Sequence, residues 1–143
     1  MAGHMSVLLR STLRNNLFIA RQNSIRAVTT TGSVGRIFKV QDEDDFEKNV
    51  VKSPVPVVID FQASWCGPCK ILEPRLETIV ARKQSAVHLA KVDIDENSEL
   101  AMKYEVLAVP FVLGFKDGKP AKSFTGLVDE DVIQSFVDEL VGS

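Results

Sequence analysis

Residues 55–70 constrain this chain more than any other stretch. Val55-Pro56-Val57-Val58-Ile59 is β-branched and almost continuously apolar, which predicts a central strand buried on both faces. A short turn follows and delivers Cys66 and Cys69 on either side of Gly67-Pro68. Beyond it, Ile71, Leu72, Arg75, Leu76, Ile79 and Val80 recur at helical spacing. Cys66 therefore falls where a strand hands over to a helix. A helix N-terminus carries unpaired N–H groups and partial positive charge, both of which favour a thiolate over a thiol. The thiolate is the nucleophile. Cys69, one turn further in, is placed to attack a mixed disulfide formed on Cys66.

The remaining chemistry is limited by what the chain lacks. Cys66 and Cys69 are the only two cysteines, so a secreted disulfide-stapled fold is excluded. A structural zinc takes four ligands, and only His4 and His88 could join the two sulfurs. A purely structural bridge between Cys66 and Cys69 is also a poor reading, because closing so short a loop removes little chain entropy. At 143 residues the chain is sized for one domain, with the composition of a globular protein. No run approaches the ~18 apolar residues of a membrane span.

Charge divides the chain in two. Residues 1–41 hold Arg10, Arg14, Arg21, Arg26, Arg36 and Lys39 and no acid, while all 19 acids lie beyond them. Such a basic tail reads as a nucleic-acid arm or a targeting segment, and the acidic remainder argues against nucleic acid. Leu9, Leu13 and Leu17 repeat every fourth residue beside the arginines. An amphipathic, Arg-rich, acid-free segment is the signature of a mitochondrial transit peptide. No uninterrupted apolar core follows the first charges, which disfavours secretion. Residues 1–4 read as foreign, with Met5 as the native start. Thr29-Thr30-Thr31-Gly32-Ser33 reads as linker. The expected organisation is a basic transit peptide plus linker over 1–35, cut between Ala27 and Arg36, and a folded domain over 36–143.

That domain is predicted to open with a strand at 36–40 and a helix from Asp42 through Val50. The central strand and the long helix from Cys66 to about Lys83 follow, with Pro74 inside the helix, where it should kink it. Next come a strand at 87–93, a short helix near 98–104 and a strand at 110–115. Asp117-Gly118 is a hairpin signal leading to a strand near 121–125. A last helix spans about 129–141, with Val132, Ile133, Phe136, Val137 and Leu140 as its buried stripe. The order βαβαβαββα makes this an α/β fold, a sheet ending in a hairpin. Within it Asp60 stands out, a carboxylate in the middle of Val-Val-Ile-Asp-Phe. Burial raises the pKa of an acid, and a raised pKa suits a proton carrier near neutral pH.

The sequence Trp-Cys-Gly-Pro-Cys-Lys after a Val-Ile-Asp-Phe strand resembles the thioredoxin family, and the resemblance extends over the whole element order from 36 to 143. It implies the thioredoxin fold, a central mixed five-stranded sheet flanked by four helices, and a protein-disulfide reductase. Cys66 would be the nucleophile and Cys69 the resolving thiol, forming a redox-active disulfide with no bound cofactor. Asp60 would help deprotonate Cys69, and Lys91 matches the family's lysine near that aspartate, although by itself it reads equally as a snorkelling surface lysine. Pro110 matches the family's cis-proline, where composition alone favours trans. Val109 would lend backbone groups to an extended substrate. Trp65, Gly67, Pro68, Ile94, Val109, Pro110 and Gly126 would form an apolar docking patch.

The resemblance also implies recycling by an NADPH-dependent thioredoxin reductase, with mitochondrial peroxiredoxins among the substrates. The targeting segment predicts the mitochondrial matrix, the acidic domain predicts no nucleic-acid partner, the lack of a long apolar run predicts no membrane, and a monomer is expected. Two residues depart from the family pattern. Phe111 stands where most members have threonine, which bears on groove packing and partner preference. Gln62 stands where bacterial relatives have tryptophan. Two rival readings are an oxidase or isomerase of the same fold, which Gly67-Pro68 disfavours, and a redox-dependent binding module docking through the Trp65–Pro110 patch.

Overall fold

A computed structural model describes residues 35–142. His4, the predicted transit segment and the predicted linker lie outside the described residues. A five-stranded sheet runs in the order β1-β3-β2-β4-β5. Its strands are β1 (Ile37–Lys39), β2 (Val57–Gln62), β3 (His88–Asp93), β4 (Phe111–Lys116) and β5 (Lys119–Thr125). β1, β3 and β2 are mutually parallel, and β4 and β5 run antiparallel to their neighbours. Four helices complete the described fold: α1 (Glu43–Phe46), α2 (Gly67–Arg82), α3 (Ser98–Lys103) and α4 (Glu130–Gly142). The sheet is mixed and the architecture is that of the thioredoxin fold, as the element order predicts.

β2 is central because its sequence leaves it no other place. Val57 to Phe61 are fully buried, and alternation along the strand sends neighbours to opposite faces. Val58 enters a core with Leu72 and Leu76 of α2 and Ile133, Phe136 and Leu140 of α4. Val57, Ile59 and Phe61 enter a second core with Phe46 of α1 and Leu100 of α3. Helices therefore cover both faces, which is what a parallel core requires. By the same alternation Asp60 shares the Val58 face, beneath α2.

Most predicted boundaries hold within two residues, and the differences have local causes. Asp42 caps α1 by accepting the Asp45 N–H at 2.8 Å, but the helix widens to π-form over Glu47–Val51 instead of ending as a regular turn. Pro74 lies inside α2, where its missing N–H removes one backbone bond. β5 begins two residues earlier than predicted and includes Pro120. β5 is an edge strand, where a residue without an N–H is tolerated. The hairpin turn has positive φ at both Asp117 (52°) and Gly118 (75°), the backbone that the Asp-Gly pair favours. No described helix is long and apolar enough to cross a membrane.

Candidate redox site

The site is built where β2 ends. The Cys66 N–H closes the turn by bonding to the Ala63 carbonyl at 3.1 Å. Cys66 then serves as the N-cap of α2, with Pro68 in the first turn. The N-cap acceptor is usually a side-chain oxygen. Here it is sulfur: the Cys69 N–H donates to Cys66 Sγ at 3.2 Å. Cys66 and Cys69 are joined as a disulfide, with Cα atoms 5.4 Å apart. The helix start thus presents the Cys69 N–H to Cys66 Sγ, a setting that favours negative charge on sulfur.

Around the pair the surface is apolar. Ala63, Cys66 and Cys69 form a small buried cluster against which Ile94 and Val109 pack. Ile94 is brought there by its N–H, which donates to the Gln62 carbonyl at the end of β2, 2.9 Å away. Gln62 itself is half-buried. Trp65 is 67% exposed and is anchored by its indole, which donates to Asp95 at 3.0 Å. Gly67 and Pro68 are exposed on the helix start. The Val109–Pro110 bond is cis and Pro110 is buried. Its carbonyl accepts the Gly126 N–H at 2.8 Å, from a glycine at φ 90°. That backbone is one a side chain rarely adopts.

The pattern predicts Cys66 as outermost and Cys69 as the more buried. In the oxidised pair they are alike, at 3% and 2% exposure. Cys66 lies at the helix start within the cluster against which Ile94 and Val109 pack. Access to sulfur therefore does not distinguish the two in this state. The Phe111 ring lies 5.9 Å from that of Phe61 and packs, partly buried, against the core on the α1–α3 side.

Asp60 is fully buried, and neither of its side-chain oxygens has a hydrogen-bond partner among the described residues. Burial is the main reason its carboxyl is pushed up to about 7. The charges of Glu73 and Glu77 push the same way, and Lys91 opposes them. Lys91 is the direct register partner of Asp60 across the β2–β3 pair. Yet its ammonium does not bond to that carboxyl. It donates to Glu73 at 2.6 Å and to Glu77, both on α2. Sequence reasoning passed over these two glutamates and Asp95. The signal for the glutamates was present: two acids four apart on a helix repel unless a cation joins them.

Comparison with known proteins agrees with this geometry. The Thioredoxin family model matches residues 37–139. The chain is 50% identical over 117 residues to the mitochondrial thioredoxin of Bos taurus, covering 82% of this chain and 70% of that protein. It is 37% identical over 100 residues to the bifunctional thioredoxin reductase/thioredoxin of Mycobacterium leprae, covering 70% of this chain and 22% of that protein. A solved thioredoxin variant from Halobacterium salinarum superposes with a TM-score of 0.70 at 36% identity, over 78% of this chain and 96% of that one. The chain therefore belongs to the thioredoxin family and is a dithiol–disulfide oxidoreductase.

Proposed function

We propose that this protein is the general protein-disulfide reductase of a mitochondrial compartment. The observation that carries the proposal is the Cys66–Cys69 bond at the start of α2, with Cys66 Sγ in the capping position. In the reduced protein the Cys66 thiolate attacks one sulfur of a substrate disulfide. A bond forms between Cys66 and that sulfur, and the other substrate sulfur leaves as a thiolate and takes up a proton. Cys69 loses its proton to the Asp60 carboxylate and attacks Cys66 Sγ. The first substrate sulfur then departs, and the pair is left oxidised. Two electrons pass to the substrate. Lys91 modulates Asp60, while Trp65, Gly67, Pro68, Ile94, Val109, Pro110 and Gly126 form the apolar groove for the substrate chain.

The reductant returns from NADPH through a thioredoxin reductase. The fused reductase/thioredoxin of M. leprae supports this pairing. Peroxiredoxins and other disulfide-containing proteins are the substrates, and the domain of residues 36–143 acts as a monomer with no bound cofactor. The mitochondrial name of the bovine relative and the acid-free, Arg-rich segment before residue 36 support the location in the matrix. Residues 5–31 fused to a fluorescent reporter are expected to carry it into mitochondria, and a cytosolic reporter would remove that part of the proposal.

Redox poise separates a reductase from its rivals. The Cys66/Cys69 pair is expected near ~−270 mV, a value characteristic of thioredoxins as a class rather than a consequence of this geometry. Equilibration against a glutathione buffer measures it. A potential near ~−180 mV, the isomerase range, would assign the protein to disulfide isomerisation instead. A pair that equilibrates normally but does not turn over insulin disulfides with dithiothreitol would favour the binding module.

A further inference from the structure

Asp60 and Lys91 face each other across a parallel strand pair, so their side chains leave the same face of the sheet. A lysine stem is long and flexible enough to fold back onto a carboxylate beside it. Here it runs instead to α2, where Glu73 holds the ammonium at 2.6 Å and Glu77 holds it from the next turn. The Lys91 side chain is 18% exposed, but Glu73 and Glu77 are 32% and 37% exposed, so water screens the cluster in part. Cys69, Glu73 and Glu77 follow one another at four-residue steps along α2, which stacks them on one side of the helix. Glu73 and Glu77 would repel one another at that spacing without a cation between them.

We propose that Glu73 and Glu77 are positioning residues that hold the Lys91 ammonium against α2 and so set the charge that Asp60 faces during exchange. With all three ionised, the cluster carries one net negative charge. A lysine free of glutamates would carry one positive charge and would pair with Asp60. The other strand beside Asp60 adds nothing to this balance, since its register partner on β4 is the uncharged Val112. α2 adds no other charge that acts on the carboxyl, and β3 adds only Lys91. The cluster therefore works through charge: it keeps Asp60 from becoming half of a buried ion pair, and leaves it able to take a proton from Cys69. The inference rests on the proton-carrier reading of Asp60 given above, and its test separates the two.

The test is a carbon-13 NMR titration of the Asp60 carboxyl in the oxidised protein. An opposite charge brought close lowers an acid's titration midpoint by ~1–3 pH units. In E73Q/E77Q the Asp60 midpoint is therefore expected to fall by at least ~1 pH unit. E73Q alone, the milder change if the double variant does not fold, is expected to move it part of the way. K91M is expected to move it upward, because both glutamates then stand without their cation. Loss of packing alone would not give shifts of opposite sign. An unchanged midpoint in folded E73Q or E73Q/E77Q, or a downward shift in K91M, would overturn the inference. The rate of mixed-disulfide resolution against pH, followed in the same variants, tests the other reading. If the midpoint moves and the rate profile does not, the positioning role stands and Asp60 is not the proton carrier.

Discussion

Cys66→Ser is expected to reduce insulin disulfides no faster than dithiothreitol alone, while Cys69→Ser is expected to accumulate covalent mixed disulfides with its substrates. The two effects differ because the cysteines enter the proposed cycle at different steps. As proposed, Cys66 makes the first bond to the substrate, and a serine hydroxyl, which stays protonated at neutral pH, cannot replace a thiolate. Cys69 is then needed only to break that bond, so its loss would stop the cycle halfway. Unfolding would not explain either result. Serine is among the preferred N-cap residues, so the Cys66→Ser hydroxyl can accept the Cys69 N–H that Cys66 Sγ now accepts at 3.2 Å. Breaking a bridge that encloses two residues also returns little entropy to the unfolded chain. Because both sulfurs are buried alike in the oxidised state, the assignment rests on the helix-cap position of Cys66. Mass spectrometry of each serine variant after incubation with a disulfide substrate decides it. Substrate trapped on Cys69 in the Cys66→Ser protein would reverse the roles.

The fold was legible because its strongest signals are local and agree with one another. Val57 to Ile59 read as a buried strand, Asp117-Gly118 as a tight turn, and Ile133, Phe136, Val137 and Leu140 as a core stripe, although Val132, predicted in the same stripe, is 49% exposed at the first turn of α4. The cysteine turn was legible for the same reason, since strand, cap and helix lie within one continuous stretch. What escaped the sequence depends on partners far along the chain. Lys91 reaches α2 across 14 and 18 residues of sequence, and no local pattern says which carboxylates it will choose. Trp65 finds Asp95 across 30. Phe111 follows Pro110 in the sequence, but its pairing with Phe61 across β2 and β4 sets its ring on the α1–α3 side of the sheet. Cys66 is as buried as Cys69 in the oxidised pair, which its place at the start of the helix did not foretell.

Asp60→Asn is expected to stabilise the oxidised protein by as much as ~4 kcal/mol at neutral pH and above, and to slow disulfide exchange. The size follows from the carboxyl's displacement from 3.8 to about 7 at ~1.36 kcal/mol per pH unit. The sign is opposite to that of a salt-bridged acid, because the folded state holds its proton more tightly than the unfolded one. Below pH 3.8 both states are protonated and the carboxyl carries no ionisation penalty. Between 3.8 and about 7 the unfolded chain ionises first, so stability falls as pH rises. Above about 7 the full penalty is present in the parent and absent from the variant. An amide in this site does not add a new cost of the same size, since the neutral carboxyl already lacks hydrogen-bond partners on both oxygens. Urea unfolding of parent and Asp60→Asn at pH 4, 6 and 8 should therefore give stability differences that widen with pH. Single-turnover exchange at the same pH values should show the variant slower if Asp60 receives the Cys69 proton as proposed. A variant less stable than the parent at every pH would mean that Asp60 is held by a favourable interaction in its ionised form. The residue would then be a structural acid, and deprotonation of Cys69 would fall to water or to the departing substrate thiolate.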